Sequence, residues 1–340
     1  MTATAADPWP RLLATATLVP SPHNVQPWRI RRLDHARAQL FIERRRTLPN
    51  EDVTGSFIIL TMGMLTEGLA LVAAHDGLAL DVTPTEAFDA FSSERIRRRE
   101  EPQLHFADLA LRPDAEVRPE VPVALFERRH TSRLHYGPDL VAAETHATLA
   151  ALAGPWGQRY AQITDPALVE QLLELNIAAV FEDLNHPPYR DEMRAWLRYG
   201  DRASSRRRDG LDARCMNVHP AELWTAFNAS PLLRWPVLQA WFRRRYRAQI
   251  GPVATLGFLS GPFWRPDQAF DTGRFLLRFW LEVARSGYCI HPYGNLVTNR
   301  PVAATMEAAT GLANVWLAFK IGRSPEPPAS RRRPLEEIWL

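Results

Sequence analysis

Lysine is nearly missing from this 340-residue chain: Lys320 is the only one, so almost every positive charge is arginine. Against that background a short arginine run says little by itself. Cysteine is scarce as well. Cys215 and Cys289 share no C-x-x-C spacing, which excludes a disulfide framework and a structural zinc site. The formal charge of +3 is too balanced for nucleic acid to be the main partner. No uninterrupted apolar stretch of bilayer length stands out, and the first ten residues lack the basic and apolar regions of a secretory signal. The expectation is a soluble cytoplasmic protein with no membrane and no nucleic-acid partner. G-x-G-x-x-G after a strand, G-x-x-x-x-G-K-[ST], G-x-S-x-G and H-E-x-x-H are all absent, which removes a resident dinucleotide and the commonest hydrolases.

What is present reads as alternating helices and short strands. A helix-like stretch over Arg11 to Leu18 leads into Pro20 to Trp28. Two strand-like runs, from Trp28 and from Leu40, flank a turn at Asp34-His35 and predict a hairpin. Gly55 to Ala74 is apolar on nearly every face and predicts a core helix. Leu78 to Val82 and Leu104 to Leu111 read as strands, and Pro113 to Pro122 as a linker, placing a boundary near residue 120. The second part repeats the theme. A Gly-led apolar helix around Phe270 to Ser286 is followed, after Gly287, by a strand-like run, and Asn314 to Ile321 is a further strand. The match between the two parts is loose and by itself is only weak evidence for a repeat.

Three segments carry chemistry, and each has a plain alternative. Ser21-Pro22-His23-Asn24-Val25-Gln26-Pro27-Trp28 packs amides and short polar side chains into a rigid turn, suited to hydrogen bonding the rim of a planar heteroaromatic ring. An Asx-type turn with Trp28 in the core is the alternative. Arg129, Thr131 and Arg133 are spaced to point the same way, and guanidinium groups bind phosphate bidentately. A solvated basic face explains them too. Pro292-Tyr293-Gly294-Asn295 is a turn after a buried helix, fit to lie against a ring or simply to be a loop. Arg331, Arg332 and Arg333 close the chain's basic features.

In this order the segments resemble the nitroreductase superfamily, in particular its double-length, Acg-like branch. Ser21 to Trp28 is similar to the P-S-x-x-N-x-Q-P-W motif, Arg129-His130-Thr131-Ser132-Arg133 to the R-[RH]-[ST]-x-[RK] signature, His291 to Gly294 to the later proline-glycine turn, and Arg331 to Arg333 to the C-terminal phosphate clamp. The resemblance implies an α+β sandwich duplicated within one chain, with central antiparallel or mixed sheets flanked by helices. It divides the chain into residues 1–120 and 121–340, with a lid insertion at about 200–252; the alternative reading of that stretch, with its arginine runs Arg206 to Arg208 and Arg243 to Arg245, is a basic aromatic face for a membrane surface or nucleic acid. Ordinary members are homodimers in which the arginine signature comes first; the reversed order implies that dimer fused into one chain, as a monomeric pseudo-dimer or a further homodimer.

The implied cofactor is one FMN. The implied contacts are Pro20, Ser21, Pro22, Asn24 and Gln26 from the first half, and Arg129, His130, Thr131, Arg133, Pro292, Tyr293, Gly294, Arg331, Arg332 and Arg333 from the second. No catalytic side chain and no metal are implied. The implied activity is electron transfer from NAD(P)H through FMN to a small nitroaromatic or quinone-like acceptor. Storage of FMN beneath a lid, and oxidation of a metabolite or peptide azoline, are the competing roles. A degraded twin site is placed near Pro188-Tyr189-Arg190-Asp191.

Overall fold

The structure, a computed structural model, describes residues 7–229 and 235–340. The chain forms two compact units. Unit 1 comprises Met1–Arg128, Trp264–Leu281 and Arg332–Leu340; unit 2 comprises Arg129–Phe263 and Glu282–Arg331. The sequence places a single boundary near residue 120, but the units are discontinuous: a helical segment and the tail both join the N-terminal part.

Unit 1 begins with helix α1 (Trp9–Ala16), which buries Trp9, Leu12, Leu13 and Ala16, the i, i+3, i+4, i+7 stripe of an amphipathic helix. Strands β1 (Trp28–Arg32) and β2 (Arg37–Glu43) pair antiparallel as the expected hairpin. Its turn is fixed by Asp34, whose Oδ1 accepts from the amides of Ala36 and Arg37. Helix α2 (Ser56–Ala73) then leads to β3 (Leu78–Pro84) and β4 (Gln103–Pro113), giving a four-stranded antiparallel sheet in the order β1-β2-β4-β3.

Helix α2 corrects one sequence expectation. The stretch Ser56–Asp76, with mean hydropathy 1.9, is long and apolar enough to cross a membrane, yet 89% of it is buried inside the protein. The one carboxylate of α2, Glu67, is 1% exposed and accepts from Arg274 Nε at 2.8 Å and from Arg278 Nε at 2.5 Å. The pairing offsets the desolvation of a charge in a core helix. Helix α2 meets the Trp264–Leu281 segment closely. A Cβ on Gly63 would lie 2.1 Å from the Phe270 carbonyl oxygen, and one on Gly273 would lie 2.1 Å from that of Leu60.

Unit 2 repeats the plan. Helix α3 (Ala143–Ala153) precedes β5 (Arg159–Ile163), and β6 (Leu256–Ser260), β7 (Cys289–Pro292) and β8 (Val315–Gly322) complete an antiparallel sheet in the order β5-β6-β8-β7. In each sheet the strands, numbered along their own unit, run first, second, fourth, third. All of β8 is buried, as a central strand covered on both faces requires. The units differ in how their first two strands are joined: residues 33–36 in unit 1, residues 164–255 in unit 2. The longer connection carries α4 (Pro166–Asn185), α5 (Pro220–Asn228) and α6 (Pro236–Ile250). The expected lid at 200–252 falls in it as a set of helices, with its residues 230–234 outside the described ones.

Candidate functional site

In unit 1 the Ser21–Trp28 segment joins α1 to β1. His23, Asn24 and Gln26 have φ of 48°, 53° and 49°, a left-handed backbone that costs an L-residue roughly 1–2 kcal/mol each. Strain persists only where the surroundings over-determine it, and clusters of it mark functional segments. Here the surroundings are dense. Ser21 Oγ accepts from the Gln26 amide at 3.0 Å, Asn24 N donates to Ser21 O at 2.9 Å, and Arg46 Nη1 donates to Val25 O at 2.9 Å. Asn24 and Gln26 are buried; Pro20, Ser21 and Pro22 are half-buried.

The tail of unit 1 closes over this turn. Arg332 Nη1 donates to Asn24 Oδ1, and Arg332 Nη2 to Leu18 O at 3.0 Å. The Arg333 amide donates to Gln26 Oε1 at 2.8 Å, and its Nη1 to Gln26 O at 3.1 Å. Arg333 also pairs with the buried Glu43 at 3.2 Å, alongside Arg46 at the same distance. Burial alone would raise the Glu43 carboxyl, but Arg333 and Arg46 overcome it and hold its pKa below the usual range. Arg331, in unit 2, turns to Asp201 and to Ser204 Oγ, the latter at 3.1 Å. Arg332 and Arg333 thus hold the Ser21–Trp28 turn of unit 1, while Arg331 pairs within unit 2.

Beside the turn, His23 Nε2 lies 2.8 Å from Glu51 Oε2. Next to Glu51, Asp52 is 2% exposed and accepts from the Ile58 amide at 3.0 Å. Burial pushes its carboxyl up to about 7 despite that bond.

In unit 2 the arginine signature follows the short helix Ala124–Arg128 and lies against β7: Thr131 forms a bridge with Ile290, and Ser132 N donates to Ile290 O at 3.2 Å. Ser132 and Ser324 share a 2.5 Å hydroxyl hydrogen bond, and Tyr136 Oη donates to Ser132 O at 3.0 Å. Arg129 is buried, while His130, Thr131 and Arg133 are half-buried. Arg133 Nη1 donates to the Cys215 carbonyl at 3.3 Å. On the paired strand, His291 sits opposite Lys320 and Pro292 opposite Phe319; Tyr293 N donates to Ala318 O at 2.7 Å. The sheet thus brings the signature and the proline-glycine turn together around Lys320.

Lys320 is fully buried. Its Nζ donates to Leu134 O at 2.9 Å and Ile250 O at 3.2 Å and lies 4.3 Å from the Tyr136 ring centroid. Burial pulls its pKa down to about 8, with the Arg133 charge adding to the effect, and burial also lowers that of Arg133. Burial, then Arg133 and Lys320, hold the His291 imidazole well below its usual value, so it is neutral. Among the described residues no carboxylate stands within ion-pair distance of Arg133 or Lys320. Two further polar atoms in the cluster, His291 Nδ1 and Tyr293 Oη, are buried without a hydrogen-bond partner. Such a set of donors without a counter-ion fits an anionic, hydrogen-bonding ligand.

Lys320 and Tyr136 do not emerge from motif reading, and His291 does so only as the start of the proline-glycine turn. The available signal was the chain's sole lysine inside the apolar run Trp316 to Ile321. The twin of the Ser21–Trp28 turn also moves. Between α3 and β5 lies Gly154-Pro155-Trp156-Gly157-Gln158, whereas Pro188 to Asp191 belongs to the helix Pro187–Trp196. The true counterpart keeps a proline and a glutamine but has neither serine nor asparagine. Among the described residues there is no group of three or more His, Cys, Asp or Glu side chains able to hold a metal ion.

No family model matches this chain, and no curated protein matches it. Solved structures are similar to it. The FMN-dependent nitroreductase NfnB from Mycobacterium smegmatis, solved with NADPH, is 18% identical, with 63% of this chain and 94% of that one covered at a TM-score of 0.38. A BluB-like flavoprotein from Clostridium difficile is 14% identical, with 63% and 95% covered and a TM-score of 0.37. A nitroreductase with bound FMN from Bacteroides fragilis is 12% identical, with 62% and 92% covered and a TM-score of 0.34.

Proposed function

We propose that the chain binds FMN and works as an oxidoreductase of nitroreductase type, passing electrons from NAD(P)H to a small acceptor such as a nitroaromatic or a quinone. The observation that carries this reading is the pair of cations Arg133 and Lys320, set into unit 2 with no carboxylate beside them. FMN, when bound, supplies the electron transfer, so no side-chain acid or base is required. The protein's part is to hold and tune. Arg133 and Lys320 offer fixed positive charge, the Tyr293 hydroxyl offers a donor, and Arg129, His130, Thr131, Pro292 and Gly294 frame the same region of the sheet. One arginine signature and one Ser21–Trp28 turn per chain support a single flavin.

Visible absorbance of the purified protein tests the reading. A colourless preparation that takes up no added FMN overturns it. Anaerobic stopped-flow mixing with NADPH or NADH then separates turnover from storage: a bound flavin that bleaches supports the enzyme, and one that never bleaches reduces the role to FMN sequestration.

A further inference from the structure

Residues 200–252 carry ten arginines against four carboxylates, a net +6 in a chain whose total is +3, so the rest is net negative. The same stretch and its helices hold half of the large exposed apolar side chains among the described residues: Trp224, Trp235, Val237 and Trp241. Along α6 the exposed residues recur as Val237, Ala240, Trp241, Arg244, Arg245 and Ala248. That is one helical face, apolar toward its N-terminal end and cationic toward its C-terminal end. The opposite positions Leu238, Phe242, Tyr246 and Ile250 are half-buried or buried. Arg245 is paired with Glu222 at 3.1 Å, but Arg244, and on the helix Asp201–Arg207 the exposed Arg202, Arg206 and Arg207, have no carboxylate within ion-pair distance among the described residues.

We infer that this face of α6 docks the protein reversibly on an anionic lipid surface, with the basic stretch 200–252 to which it belongs supplying the positive charge. Indole and valine side chains enter the headgroup boundary while arginines meet lipid phosphates, the combination that holds amphipathic helices in an interface. Charge decides against a second copy of the chain, because apposing two such faces would set like charges together. Val237, 81% exposed, decides against a nucleic acid, which stacks on aromatics but offers a branched aliphatic side chain no hydrocarbon. The inference does not depend on FMN, and it revises the expectation that no membrane is a partner.

The test is flotation of the full chain with vesicles of phosphatidylcholine alone and with one third phosphatidylglycerol, at low and high salt. The expected result is flotation with the anionic vesicles, suppressed by salt, and none with the neutral ones. The exposed-face variant Val237→Ser/Trp241→Ser binds at least about tenfold more weakly, and Arg206→Ala/Arg207→Ala/Arg244→Ala loses roughly fivefold per arginine. A wild-type chain that stays at the bottom of the gradient overturns the inference, as does flotation unchanged in both variants. Tighter binding to single-stranded DNA than to vesicles, or a dimer that Val237→Ser/Trp241→Ser dissociates, assigns the face to those partners instead.

Discussion

Arg333 holds Gln26 from both ends, its amide on the side-chain oxygen at 2.8 Å and its guanidinium on the backbone carbonyl at 3.1 Å. The grip explains how Gln26 keeps a left-handed φ two residues beyond Asn24, which shares that conformation with His23. It also sets the Glu43 ion pair, and from that pair a first prediction follows. Arg333→Ala leaves a buried carboxylate with one guanidinium fewer and costs about 3 kcal/mol of stability, read from urea unfolding. An unchanged midpoint would show that Arg45 and Arg46 satisfy Glu43 without Arg333.

The same pair sets an acid limit. Glu43 has a folded-state pKa below its model-peptide value of 4.5, so its contribution is complete above about pH 4.5 and disappears as pH falls through the depressed value. Unfolding midpoints between pH 3 and pH 6 should fall on the acid side in the wild type and less steeply in Glu43→Gln.

Asp52 has the opposite sign. Its folded-state value of about 7 lies above the 3.8 of the free side chain, so the folded protein binds the extra proton and loses stability as pH rises from about 4 to 7. The loss amounts to about 4 kcal/mol at its limit. Asp52→Asn keeps an oxygen for the Ile58 amide and should be flat across that window; a wild type that is itself flat would place Asp52 in a wetter setting.

Much of this was open to sequence reading, and the division has a physical cause. The β1–β2 hairpin and α2 announce themselves locally, through Asp34 at a turn and through an apolar run, because their periodicity lies within one segment. Glu67 could not be read that way: its partners Arg274 and Arg278 are more than two hundred residues away. The tail arginines show the same limit, since adjacency in the chain does not reveal that Arg331 pairs with Asp201 while Arg332 and Arg333 hold the Ser21–Trp28 turn. Lys320 was hidden by type, as motif patterns score residues that face a ligand and not a lone cation inside a strand. The Gly154–Gln158 counterpart needed strand order, which only the sheet supplies.

Lys320 yields a ligand prediction. In the free protein it titrates near 8, and an anion held beside it raises that value. FMN retention should be constant below pH 8 and weaken about tenfold per unit above it until the bound-state value is reached. Lys320→Met, of similar volume, should bind more weakly at neutral pH and lose the slope. Equilibrium dialysis across pH 6.5 to 9.5 measures both, and a slope that survives in Lys320→Met would move the titration to another group.

At the crossing in unit 1, Gly273→Ala puts a methyl group 2.1 Å from the Leu60 carbonyl oxygen, where only backbone movement makes room. A loss of about 2–3 kcal/mol is expected. Calorimetry that finds the variant as stable as the wild type would mean the helices part at little cost.

That crossing has a consequence in time. Gly63 leaves the ribosome some two hundred residues before Gly273, the residue it packs beside, and at ordinary bacterial or eukaryotic elongation rates the wait is roughly 10–40 s. Throughout that interval a nascent helix with the hydropathy of a membrane span lacks the Trp264–Leu281 segment that packs against it in the folded unit. Unit 1 therefore cannot close its core until the later part of the chain has been made, which leaves one face of α2 exposed for that time.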